Sequence, residues 1–74
     1  MFPENLCHKM IDIVRKKIAD HEPLPSIDEK ILLFKLEQAE YMSTTREDIA
    51  NRMLGYYQRV GEELNYWTLD EISK

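Results

Sequence analysis

Residues 26–42 read SIDEKILLFKLEQAEYM, and the packing of this stretch decides the fold. It opens as a helix start. Ser26 followed three residues later by Glu29 is a capping box: the hydroxyl accepts from the Glu29 N–H and the carboxylate accepts from the Ser26 N–H. Beyond the cap the apolar residues do not keep to one side. At about 100° per residue, Ile27, Ile31, Phe34, Tyr41 and Met42 line one side, while Leu32, Leu33, Leu36 and Ala39 spread over much of the other. A surface helix carries one apolar stripe, whereas a helix apolar on both sides is covered on both. The spacing predicts a central helix, packed either between two other helices or between its own chain and a second molecule.

The segments on either side supply candidate covers. Upstream, Pro3 suits a first helical turn, where its missing N–H costs nothing. A helix is expected from about Glu4 to Asp20, with Leu6, Cys7, Met10, Ile11, Ile13, Val14 and Ile18 in one broad arc. His21-Glu22-Pro23-Leu24-Pro25 ends it, because each proline drives the residue before it out of helical geometry. Downstream, Ser43-Thr44-Thr45 offers a second cap, by Thr44 with Glu47 or Thr45 with Asp48. A third helix is expected from about Arg46 to Asn65. Its residues Ile49, Met53, Tyr56, Val60 and Leu64 follow a near-heptad seam, joined by Tyr57 and continued by Trp67. Gly55 falls on the polar side of this helix, and Gly61 falls at the edge of the apolar arc, where a close backbone approach is expected. Thr68-Leu69-Asp70-Glu71 is a further capping box opening a segment too short to be helical alone, which Leu69 and Ile72 would dock near Trp67. The expected architecture is an all-α single domain over residues 1–74: a small three-helix bundle with a short C-terminal fourth helix or turn.

A chain of 74 residues builds only a marginal core, and small domains usually add a disulfide, a metal or a partner. Cys7 is the single cysteine, so an internal disulfide is impossible. Cys7, His8 and His21 are the only soft metal donors. Cys7 shares the buried stripe with Ile11, His21 complements the end of helix 1, and His8 with Asp12 makes two ligands rather than a site. Neither a metal nor another cofactor is expected. Catalysis is not expected either. Cys7 and His8, neighbours on a helix, point about 100° apart, and no glycine-rich phosphate loop is present. Glu37, Glu40, Glu62 and Glu63 read as solvated faces. Ser26 lies in Pro-Ser-Ile-Asp, not in the Asp-Ser-Leu of acyl carrier proteins, and is explained as a cap. The remaining staple is a partner protein, or a second copy of the chain.

Ten basic residues against fourteen acidic ones, a net charge of −4, disfavour a general nucleic-acid or anionic-membrane footprint. The opening MFPENLCHKMIDIV is broken by Glu4, His8, Lys9 and Asp12, so it reads as neither signal peptide nor membrane span. With one free thiol, the expectation is a cytoplasmic protein. Arg15-Lys16-Lys17, the one basic cluster, spreads around its helix and complements the helix dipole. The expected function is that of a small non-catalytic regulator or adaptor acting by protein–protein interaction, as a homodimer. Its interface would comprise Met53, Tyr56, Tyr57, Val60, Leu64 and Trp67 of helix 3 with the exposed side of helix 2, and Trp67 would be the anchor. Two alternatives use the same segment. Arg46–Leu64 imitates a helix-turn-helix, with Ile49, Ala50 and Val60 placed around a turn at Gly55; this reading requires a break there. Glu47, Asp48, Asn51, Gln58 and Glu62 share a polar arc that would suit an acidic mimic of nucleic acid.

Overall fold

A computed structural model of the chain describes residues 1–20 and 26–73. Its elements are α1 (Glu4–Asp20), α2 (Ile27–Met42), α3 (Glu47–Glu63) and the single-turn α4 (Leu69–Ser73). No strand occurs among the described residues, and the all-α expectation holds. The proline linker and the capping role expected of His21 lie outside the described residues.

Two of the helix starts have a local cause in their capping boxes. The α2 capping box forms in both directions, Glu29 N–H donating to Ser26 Oγ at 3.2 Å and Ser26 N–H to Glu29 Oε2 at 3.3 Å. Thr68 and Glu71 close the α4 box in the same way, at 3.1 and 3.2 Å. The cap expected for α3 does not form. Arg46 takes the N-cap position without a side-chain cap bond. The hydroxyls before it turn back instead: Ser43 Oγ donates to the Glu40 carbonyl at 2.6 Å and Thr44 Oγ1 to that of Tyr41 at 3.5 Å. The turn is so tight that Thr45 and Arg46 N–H both reach Met42 O, which leaves the threonines on the wrong side of the α3 start.

The far end of α3 closes with a Schellman motif. Asn65 adopts φ of 65°, a left-handed conformation that asparagine tolerates. Tyr66 N–H donates to Gly61 O at 2.9 Å and Asn65 N–H to Glu62 O at 3.1 Å. This reversal throws Trp67 back over α3. The indole lies against Gly61, where an added Cβ would sit 2.0 Å from Trp67 Cζ2, and its Nε1 donates to Gln58 O at 2.8 Å. A close approach at Gly61 is thus observed, made by an indole rather than by a backbone.

The core is built around α2, which packs against both α1 and α3, with α4 lying on α1. Cys7, Met10, Ile11 and Val14 of α1 meet Leu32 and Leu36 of α2, Ala50 and Leu54 of α3, and Phe2, Trp67 and Ile72 in one cluster. The α1 stripe is buried as its periodicity predicts. The α3 stripe is not. Its buried residues are Ala50, Leu54 and Gly61, whereas Ile49, Met53 and Val60 are half-buried and Tyr56 and Leu64 are exposed. Relative to the expected seam the helix is turned by about 100°, one residue's worth of rotation. Small residues decide this: Ala50 and Gly61 make room for α2 and for the Trp67 ring.

Candidate protein-binding face

The apolar side of α2 expected to be covered is bare. Its core face is Glu29, Leu32, Leu36 and Ala39. On the opposite side Ile27 is 74%, Ile31 48%, Phe34 63% and Tyr41 82% exposed. Of the two arrangements that the spacing allowed, packing of both sides of α2 within the chain is not what forms: α1 and α3 flank the core face and stop short of the other. Only Met42 of that expected side is half-buried against the core.

The bare row does not end at the edge of α2. Asp28, Ile31 and Leu32 line a groove of about 190 Å³ together with Tyr57, Val60 and Leu64 of α3. The two helices run antiparallel there, the start of α2 beside the end of α3. The rotation of α3 that hid Ala50 and Leu54 thus brought its larger apolar residues to the rim of α2. Tyr56 and Tyr57 meet edge to face with centroids 4.9 Å apart at that rim. Of the six residues expected to form an interface, Tyr57, Val60 and Leu64 line the groove, Tyr56 is exposed beside it and Met53 is half-buried. Trp67 is the exception. It is 3% exposed, its ring spent on Gly61 and its N–H on Gln58, so its role as an exposed anchor is corrected to that of a core residue. A scattered exposed leucine needs no explanation, whereas here a row on one helix continues across a groove onto the next as one exposed apolar patch. Gln38 lies in this row between Phe34 and Tyr41. Its Oε1 is buried and has no hydrogen-bond partner among the described residues.

The polar residues of interest are engaged in structural contacts. Cys7 is fully buried, its Sγ turned to Leu36 O at 3.7 Å. Burial first, then the carboxylates of Glu40 and Glu4, push its thiol up to about 11. His8 Nε2 contacts Glu40 of α2 rather than Asp12, and Arg15 Nη2 pairs with Glu37 Oε2 at 3.0 Å, so an imidazole–carboxylate contact and an ion pair tie α1 to α2. Lys17 Nζ lies 5.9 Å from the centre of the Tyr66 ring, which leaves Arg15-Lys16-Lys17 without a common basic face. Burial, followed by the nearby Glu29 carboxylate, raises the Tyr66 phenol above its ordinary value. No group of His, Cys, Asp or Glu among the described residues is arranged to hold a metal ion.

The helix-turn-helix geometry is not formed. Helix α3 runs unbroken from Glu47 to Glu63, and Gly55 sits within it with open space where a Cβ would point. A glycine there costs about 1 kcal/mol of helix propensity but does not interrupt the hydrogen bonding of a helix held by packing. In the acidic arc of α3, Glu62 accepts from Leu69 N–H at 3.1 Å and the backbone of Gln58 holds Trp67, while Arg52 and Arg59 are exposed. No helix among the described residues is long and apolar enough to cross a membrane.

What sequence reasoning missed is the identity of the α3 core. Ala50, Leu54 and Gly61 each lie one residue past a member of the expected seam (Ile49, Met53 and Val60), and two of them are too small to stand out as hydrophobic. No protein-family model, curated protein or solved structure matches this chain.

Proposed function

We propose that this chain is a small non-catalytic regulatory or adaptor protein that works by binding protein, and that its first partner is a second copy of itself. The observation carrying this reading is the row Ile27, Ile31, Phe34 and Tyr41, exposed on the element that organises the whole core. Full burial of such side chains is worth about 1.5–3 kcal/mol each, so leaving four uncovered is a substantial unspent driving force for association. The bound surface comprises this row and the α3 rim at Tyr56, Tyr57, Val60 and Leu64. A thiol pushed up and turned inward, with His8 engaged by Glu40, supports a non-catalytic role. The same buried, unpaired thiol suits a reducing compartment, and we place the protein in the cytoplasm.

Light scattering across a concentration series tests this reading. The expected result is a mass near twice 8.9 kDa, falling to the monomer in F34D with its cooperative melting intact. A wild-type chain that stays monomeric at high micromolar concentration, or an F34D variant that remains dimeric, overturns it.

A further inference from the structure

The bare row of α2 has a finer order than its apolarity. Ile27, Ile31, Phe34, Gln38 and Tyr41 are separated by alternating steps of four and three residues, the spacing of a coiled-coil seam. Such a seam is flanked by two lines of residues, and charges there set the orientation of the partner helix. One flank, on the α3 side, carries Asp28 and then Lys35; the other, on the α1 side, carries Lys30 and then Glu37. Asp28, Lys30 and Glu37 are exposed. Lys35 is half-buried, its Nζ 6.0 Å from the centre of the Phe34 ring. Glu37 holds Arg15 through Oε2 and keeps 45% of its side chain exposed.

From this charge order we infer that the partner on this face is a second copy of the chain with its α2 antiparallel, related by a two-fold axis perpendicular to the helix. The symmetry dictates the pairing. A two-fold axis across the helices brings each flank against its own copy running backwards. Acid-then-base on one flank and base-then-acid on the other are both self-complementary when reversed. Asp28 meets Lys35 of the second copy, Lys30 meets Glu37, and each pair occurs twice. Between them Ile31 packs opposite Phe34 and Ile27 opposite Gln38. The register is selected as well. Sliding one helix by a heptad sets Asp28 against Asp28 and Lys30 against Lys30, or Lys35 against Lys35 and Glu37 against Glu37, depending on the direction. A parallel dimer instead brings one flank against the other, and its closest pair five residues apart is Lys30 with Lys35, which repel. The charges thus favour one orientation and one register out of those the apolar row alone allows.

This inference rests on the self-association reading above, and charge reversal separates the two. Sedimentation equilibrium would be run on the full chain, on K30E, on K35E and on the double variant K35E/D28K, with thermal melting below the dimer Kd as the folding control. Each single reversal turns two attractive pairs into repulsive ones, and the dimer Kd is expected to rise about tenfold. D28K should restore K35E, since it recreates the pair with the signs exchanged. Tighter dimers in K30E or K35E would mean a parallel arrangement and would overturn the orientation. A dimer lost in F34D, or in I31S if F34D fails to fold, but indifferent to every charge reversal, would overturn the register and leave the face standing. A monomeric wild-type chain would remove both.

Discussion

Helix α2 carries two apolar faces of similar chemistry with opposite fates. Leu32, Leu36 and Ala39 are sealed between α1 and α3, while Ile27, Ile31 and Phe34, on the same helix, face solvent. Intrinsic hydrophobicity does not separate them, since isoleucine and phenylalanine are at least as costly to expose as leucine and alanine. The difference lies in what the neighbours can reach. Two helices flanking a third in a chain this short cover one broad side of it, and α4, with only five residues, lies on α1 instead. One side of α2 therefore stabilises the chain, and the other is left exposed. Helix α3 repeats the division on a smaller scale: Ala50, Leu54 and Gly61 are buried, while Tyr56 and Leu64 are exposed at the rim.

The sharpest way to break this comparison is to place the same charge on each face. Leu36→Asp buries an unpaired carboxylate and is expected to cost at least about 3 kcal/mol, abolishing cooperative melting in a domain this small. Phe34→Asp, measured below the dimer Kd, should change stability by no more than about 0.5 kcal/mol, because its side chain is already in water. Retained melting in the first variant, or unfolding in the second, would exchange the roles assigned to the two faces.

The two glycines of α3 give a second contrast of the same kind. Gly61→Ala forces a methyl group into the rigid indole of Trp67, so about 1–3 kcal/mol of stability should be lost and Trp67 fluorescence should shift red as the ring is displaced. Gly55→Ala meets nothing within 4 Å and should stabilise the helix by about 1 kcal/mol. Equal melting shifts in both variants would show that the Trp67 ring does not rest on Gly61.

Gln38→Leu tests the one polar position in the bare row. Replacing an orphaned buried carbonyl oxygen by an apolar side chain should raise stability by about 1 kcal/mol, seen in chemical denaturation, and tighten self-association. An unchanged dimer Kd would place Gln38 outside the contact.

A pH effect is also expected on the buried side of the comparison. A thiol raised from 9.0 to about 11 in the folded chain holds its proton more tightly there than when unfolded. Its contribution is therefore present below about pH 9 and lost as pH climbs toward 11. The stability of the wild-type chain should fall over that interval, and the slope should be shallower in Cys7→Ala. Parallel slopes would show that burial of Cys7 does not hold its proton.

Much of the fold is legible in local order. The start of α1, the capping boxes at Ser26 and Thr68, and the buried arc from Cys7 to Val14 follow from spacing and from hydrogen-bonding groups a few residues apart. Half of the exposed apolar face is legible as well, since the apolar excess of α2 shows in its sequence. The side left bare does not show, because either side satisfies the same periodicity. The anchoring role expected of Trp67 fails for a related reason. An indole near a chain end reads equally as core or interface until the Asn65 reversal is known to fold it onto Gly61.

The sequence by itself determined that this protein is helical, roughly where its helices run, and that α2 carries apolar residues on both of its sides. Those properties depend on neighbours within a turn or two, and 3.6-residue periodicity records them faithfully. Only the tertiary structure decided which side of α2 and which stripe of α3 became core. That choice depends on how closely distant segments approach, and a small residue such as Gly61 lets the Trp67 ring lie directly against α3. Close packing rewards fit along with hydrophobicity, and fit between distant segments leaves no period in the sequence.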